Sequence, residues 1–208
     1  MDFTFSEDQL LFQESVRDFL VNEITPEKIR ELWERESGRS GELWAQLAEL
    51  GLNGLTVPEE FGGLGMDELD FVLLAQECGY VALPEPLVHT ALVVVPLLRE
   101  IGGDLAAEWL PKIVTGTARV VVGLEQNILV EDAHVADLIL LQQGDEIHAL
   151  TQQQVELRHN ESVDPSRKLY VVEIKQPNPV SSDVSLITAA SNRGALANAA
   201  QALGLAQR

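Results

Sequence analysis

A chain of 208 residues with 46% hydrophobic side chains can bury a core as one large domain or two small ones, which excludes a disordered chain. Its 33 acidic against 14 basic residues, a formal net charge of −19, would repel nucleic-acid phosphates and an anionic membrane surface alike, so neither is an expected partner. The single cysteine, Cys78, leaves no intramolecular disulfide and no thiolate cluster for zinc or iron–sulfur ligation. The start, MDFTFSEDQL, has no basic region ahead of an apolar core, and no apolar run approaches the ~20 residues of a membrane span. A cytoplasmic protein is expected.

The first half reads as successive helices. Ser6 with Gln9 three residues on forms a capping box, with Phe5 and Leu10 as the matching hydrophobic staple. Leu10, Leu11, Val16, Phe19 and Leu20 recur at helical spacing and predict one buried face. Thr25 and Pro26 restart the chain as N-cap and first-turn proline of a helix to about Arg35. A third helix covers residues 41–50, closed by a left-handed Gly51, and a loop through Gly54 and Pro58 leads into Glu59-Glu60-Phe61-Gly62-Gly63-Leu64-Gly65. The next helix starts at Asp67, presents Leu69, Phe71, Val72, Leu73 and Leu74, and stops at Gly79. Beyond Pro84 and Pro86, residues 87–101 are apolar nearly all round, which predicts a central helix walled by the others. The acidic helix from about Leu105 to Val114 belongs outside it, anchored by Trp109.

After Gly116 the pattern changes. Residues 119–122, 136–141, 146–150, 154–157 and 169–174 are short strand-like runs separated by turn residues, and they predict an antiparallel β domain. Gly144-Asp145 supplies a hairpin turn and Asp164-Pro165-Ser166 a proline-centred turn. From about Ser182, Ala189, Ala190, Ala195, Leu196, Ala199, Ala200, Leu203 and Leu205 make a small-residue helix that reaches Arg208 without a stop signal. The expected fold is α+β: an N-terminal helical bundle (1–116), a small antiparallel β domain (117–180), and the start of a truncated C-terminal helical domain (181–208).

Few residues carry chemistry by pattern alone. Gly62-Gly63-Leu64-Gly65 lacks the preceding strand of a dinucleotide fingerprint and the lysine of a P-loop, so it reads as a tight interhelical turn. His89, His134, His148 and His159 fall on separate elements, none at ligand spacing with a carboxylate, so no metal site is expected. No serine sits in a strand-to-helix nucleophile elbow, and Cys78 reads as a buried small hydrophobe. Glu125, after the apolar run Val120-Val121-Val122-Gly123-Leu124, reads either as a carboxylate facing a cleft or as a solvated loop acid.

Together these segments resemble the acyl-CoA dehydrogenase family. Phe3-Thr4-Phe5-Ser6-Glu7-Asp8-Gln9 is similar to the family's opening, and Val57-Pro58-Glu59-Glu60-Phe61-Gly62-Gly63-Leu64-Gly65-Met66-Asp67 to its proline, glutamate and double-glycine turn. Gln76-Glu77-Cys78-Gly79 followed by Pro84 and Pro86 resembles a branch rich in steroid-degrading and other bulky-acyl enzymes, some of them heteromeric. Ser162-Val163-Asp164-Pro165-Ser166-Arg167 resembles a turn of the family's β domain, and Ala200–Arg208 the first helix of its C-terminal domain.

The resemblance implies FAD held between the β and C-terminal helical domains, across a subunit interface. It implies α,β-dehydrogenation of an acyl-CoA thioester, in which a carboxylate takes the α proton while the β hydride passes to flavin N5. The chain departs from the pattern twice. Gly123-Leu124-Glu125 stands where a hydroxyl-bearing flavin segment is expected, and leucine has no hydrogen to donate. Further flavin-contacting segments are missing, since Ile128-Leu129-Val130 leads almost directly into the Ala136-Asp137-Leu138 strand. The C-terminal domain that would hold the catalytic carboxylate is also absent, so no catalytic residue carries over. The expectation is an acyl-CoA dehydrogenase-like chain, inactive alone or a supporting subunit beside another acyl-CoA dehydrogenase subunit, in a homo- or hetero-oligomer. A non-enzymatic scaffold without FAD, and a related flavin branch acting on other substrates, are the alternatives.

Overall fold

The computed structural model describes residues 4–208, so Phe3 of the opening motif lies outside the described residues. Four helices come first: α1 (Glu7–Glu23), α2 (Pro26–Trp33), α3 (Gly41–Glu49) and α4 (Glu68–Tyr80). The local signals hold where they involve capping chemistry. Ser6 Oγ accepts from the Gln9 amide and Gln9 Oε1 from the Ser6 amide, Thr25 caps α2 with Pro26 in its first turn, and Asp67 caps α4. Gly62 takes φ +86°, and a Cβ on Gly63 would run into the Val57 carbonyl, so the double-glycine segment is a structural turn.

The buried face of α1 is not the expected one. Val16 and Leu20 are buried, but Leu10 and Leu11 are 48% and 60% exposed, and the staple partner Phe5 is exposed as well. Polar contacts set the helix rotation: Gln9 bonds Asp70, while Gln13 and Arg17 both bond Glu77 of α4. These three residues form one i, i+4, i+8 row, which turns Leu10 and Leu11 away from the neighbour. On α4, Leu69 is likewise exposed, while Phe71, Leu73, Leu74, Ala75 and Cys78 are buried.

Residues 87–101 form the expected central rod, with an internal irregularity. It runs as α5 (Leu87–His89), a π-helical turn (Thr90–Val94) and α6 (Val95–Ile101). Pro96 has no amide for the Leu92 carbonyl four residues back and its ring crowds that position, so the ladder widens. The Thr56 hydroxyl takes up the Ala91 carbonyl at 2.8 Å. The acidic α7 (Gly103–Val114) lies against this rod, with Trp109 half-buried and Lys112 Nζ 4.4 Å above its ring.

The β domain has two sheets and seven strands among the described residues. One sheet runs in the order β1 (Val120–Gly123), β3 (Leu138–Gln143), β4 (Glu146–Leu150), β7 (Pro179–Ser181); the other β2 (Leu129–Glu131), β6 (Leu169–Ile174), β5 (Val155–Asn160). Two findings correct the expected strand pattern. Residues 129–131 do not merely lead into the next strand but form β2, and β7 is a further edge strand. The β1–β3 pair is parallel while the remaining ladders are antiparallel, because β2 carries the chain into the second sheet before β3 returns beside β1.

Helix α8 (Val184–Gln207) follows and packs lengthwise on α4, at backbone contact. A Cβ on Gly204 would strike the Gln76 carbonyl, and one on Gly79 the Gln201 carbonyl. Ala197 and Ala200 of α8 thereby join the core of the helical layer, while Ile187 and Ala190 join a second cluster formed by the π turn, α6, α7 and the first sheet. A third cluster, around Val121, Ile139 and Leu150, fills the space between the two sheets.

Candidate functional site

The expected flavin segment begins at the end of β1, where Gly123 sits opposite Leu141 in the parallel ladder. A Cβ on Gly123 would meet Val130 Cγ2 at 2.5 Å and Leu141 Cδ1 at 2.7 Å, so apolar side chains already fill this position. Leu124 is half-buried and packs into the cluster between the first sheet and the helices. Glu125 is exposed and faces the β3–β4 hairpin. Its Oε1 accepts from the Gly144 amide at 2.7 Å and its own amide donates to Gln142 Oε1 at 3.1 Å. Gln142 Nε2 in turn donates to the Gly144 carbonyl at 2.9 Å.

The following residues close the loop on itself. The Asn127 amide donates to the Leu124 carbonyl at 2.9 Å, and Asn127 Oδ1 accepts from the Leu129 amide at 3.2 Å. Ser191 Oγ of α8 donates to Gln126 Oε1 at 2.7 Å, which ties the loop to the helix beside it. An isoalloxazine edge carries carbonyl oxygens and a ring nitrogen that need donors. Here the amides of Glu125 and Asn127 are already engaged, Leu124 has no side-chain donor, and Glu125 presents an acceptor. Gly123, Leu124 and Glu125 therefore offer a flavin no side-chain donor.

Other ionisable groups serve packing. Glu77, 1% exposed, receives Arg17 Nε at 2.6 Å and Nη2 at 2.8 Å, with Gln13 Nε2 at 2.6 Å. Glu85, 3% exposed, accepts the Ser40 amide and Arg119 Nη1, and the Arg119 guanidinium lies 4.6 Å over the Trp44 ring. Arg39, buried in the loop before α3, reaches Asp132 and Glu131 of the β domain. Sequence reasoning missed all three clusters, because pairing partners up to 93 residues apart leave no local pattern.

The histidines stay apart as ligands. His134 Nε2 lies 3.2 Å from the Ser37 carbonyl, its ring stacked 5.0 Å from Tyr170, with His159 on the same tyrosine at 5.2 Å. His148 is buried in β4 with Nε2 3.4 Å from Glu146 Oε2, and burial pushes His89 down despite Glu131 nearby. Among the described residues no group of three or more His, Cys, Asp or Glu side chains is arranged to hold a metal, and no helix is long and apolar enough to cross a membrane. Cys78 is fully buried and its thiol is pushed up to about 12, the opposite of what a nucleophile needs.

With this geometry in place, similarity to known proteins is informative. The profile of the acyl-CoA dehydrogenase N-terminal domain matches residues 6–117. The acyl-CoA dehydrogenase IpdE2 of Mycobacterium tuberculosis is 26% identical over 203 residues, which is 97% of this chain and 61% of that protein. In the crystal structure of the ChsE4-ChsE5 complex from Mycobacterium tuberculosis, one chain superposes with a TM-score of 0.83 at 19% identity, over 98% of this chain and 65% of that one. A glutaryl-CoA dehydrogenase from Mycobacterium smegmatis, solved with FADH2, superposes with a TM-score of 0.77 at 14% identity, over 96% of this chain and 62% of that one. The chain thus spans less than two thirds of the length of these relatives. Since the matched profile covers more than half of its residues, and the helical layer, β domain and α8 follow the same fold, the chain belongs to the acyl-CoA dehydrogenase family.

Proposed function

We propose that this chain is a supporting subunit of a hetero-oligomeric acyl-CoA dehydrogenase, and that the flavin and the dehydrogenation chemistry belong to a partner subunit. The observation that carries this reading is the closed loop after β1. Leu124 packs inward, Glu125 and Gln142 tie to Gly144, and Gln126 to Ser191, where the family's flavin segment is expected. In such an assembly the reaction is α,β-dehydrogenation of an acyl-CoA thioester on FAD, and this chain's helical layer and β domain buttress the partner that performs it. The branch resemblance through Gln76-Glu77-Cys78-Gly79, Pro84 and Pro86 favours a bulky, steroid-type acyl group. The two-subunit composition named for the ChsE4-ChsE5 complex supports a heteromer. In this reading residues 181–208 begin a further helical domain, and the unpaired, buried Cys78 fits the cytosol.

The test is flavin absorbance and dichlorophenolindophenol reduction by the full-length gene product, alone and with a candidate partner subunit. Stoichiometric flavin in, and full activity of, the protein alone would sink the reading. The closed loop also favours a second one, a scaffold that keeps the fold and binds neither FAD nor CoA. Tight acyl-CoA binding by calorimetry counts against the scaffold.

A further inference from the structure

Between α2 and α3, Arg39 grips the β domain directly and Ser40 reaches it through Glu85 and Arg119. Arg39 Nε donates to Asp132 Oδ2 at 2.6 Å, Nη2 to Glu131 Oε1 at 3.0 Å, and Nη1 to the carbonyls of Ser166 at 3.0 Å and Gly38 at 3.1 Å. The Ser40 amide donates to Glu85 Oε1 at 2.6 Å, and Glu85 Oε2 accepts from Arg119, the residue leading into β1, at 2.7 Å. The two arms differ in one respect. Both oxygens of Glu85 are engaged, whereas Asp132 is 2% exposed and its Oδ1 has no hydrogen-bond partner. Asp132 also holds φ +62°, a left-handed conformation that a side chain disfavours, fixed by its amide donating to the Lys168 carbonyl at 2.9 Å.

We propose that Arg39 and Asp132 form a proton-sensitive latch across the seam between the helical layer and the β domain, with the unpartnered Oδ1 of Asp132 as the proton acceptor. Facing Asp132 are Arg39 from the α2–α3 loop, Arg119 ahead of β1, Glu131 beside it, Arg167 from the turn before β6 and Tyr170 from the start of β6. Burial outweighs the arginines and, with Glu131, pushes the Asp132 carboxyl up to about 6. Glu131 behaves oppositely: burial raises it, but Arg167, Arg39 and His89 together hold it below the usual range. Only one of the two carboxylates on Arg39 therefore gains a proton near neutral pH. When it does, Arg39 keeps Glu131 as its sole anionic partner, and because the buried carboxyl holds its proton more tightly than a solvated one would, the protonated form favours the closed seam and the latch loosens as pH rises through about 6. His134 lies on the same loop through the Ser37 carbonyl, so the test follows the Asp132 carboxyl itself.

In 13C,15N-labelled protein, the Asp132 side-chain carboxyl and the amides of residues 37–40 and 166–168 are followed by NMR from about pH 8 to about pH 4.5. The expected result is a carboxyl midpoint near 6, shared by the seam amides, with Asp132→Asn removing both the signal and the seam response. A carboxyl midpoint below about 4.5, the ordinary carboxylate range, overturns the latch. So does a titration near 6 that leaves residues 37–40 unmoved. Should Asp132→Asn fail to fold, the wild-type carboxyl and seam signals decide alone. The outcome does not depend on whether any subunit holds a flavin.

Discussion

Cys78 and Glu77 are neighbours on α4, both without solvent exposure to speak of, and they show two ways in which burial changes a reactive group. For the thiol, desolvation acts with the Glu77 charge, so the thiolate is suppressed at any physiological pH. Native protein at pH ~8 should therefore show no reaction with Ellman's reagent, and unfolding in guanidinium should release one thiol; rapid native labelling would contradict this burial. For the carboxylate, Arg17 and Gln13 supply the bonds that water would have made. Arg17→Ala strips the charge partner from a buried carboxylate and should cost about 3 kcal/mol in urea unfolding, less as water reaches the half-exposed site Arg17 leaves. Adding Glu77→Leu to that variant should restore part of the loss, because the uncompensated charge is removed with it; a double variant less stable than Arg17→Ala would refute the coupling.

At the scale of elements, the α4–α8 crossing is the tightest contact and rests on two glycines. Gly204→Ala places a methyl against the Gln76 carbonyl and Tyr80 amide, atoms of a rigid helix, and should destabilise the fold by about 1–3 kcal/mol in thermal unfolding. Gly79→Ala relaxes the same crossing, so the pair should cost less than the sum of the two. Thr56→Val should cost a similar amount by a different route, since it orphans the Ala91 carbonyl at the π turn. These elements also mark what was legible in the sequence. Ser6 with Gln9, Thr25 with Pro26, and Gly144-Asp145 announce themselves because a cap or turn is chemistry between residues two or three apart. The central rod was legible from a stretch apolar nearly all round, but its π turn was not, although Pro96 was the available signal. The face of α1 was misread because polar bonds to α4 fix its rotation, and β2, β7 and the parallel β1–β3 pair depend on which sheet the chain enters, a decision made by tertiary packing. At the candidate site, Leu124 already stood out as unable to donate, while the ties of Glu125 to Gly144 and of Gln126 to Ser191 join residues 19 and 65 apart and needed the structure.

For the whole molecule, the buried seam predicts how stability varies with pH, and the direction is the reverse of the usual aspartate. An ordinary paired aspartate has its carboxyl depressed in the fold and loses stability on acidification. Asp132 is raised from 3.8 to about 6, because burial without a partner for Oδ1 outweighs Arg39. Between those two values the folded chain binds a proton that the unfolded chain has released, so this group lowers stability as pH rises through the window and is flat on either side. Two units correspond to about 3 kcal/mol. Asp132→Asn keeps the shape without the charge and should flatten this part of the profile, so that wild type minus variant, measured by urea unfolding at closely spaced pH values, falls between about pH 4 and about pH 6 and is level above. A difference that rises over that interval would mean that Arg39 dominates burial at the seam and that Asp132 is an ordinary stabilising ion-pair partner.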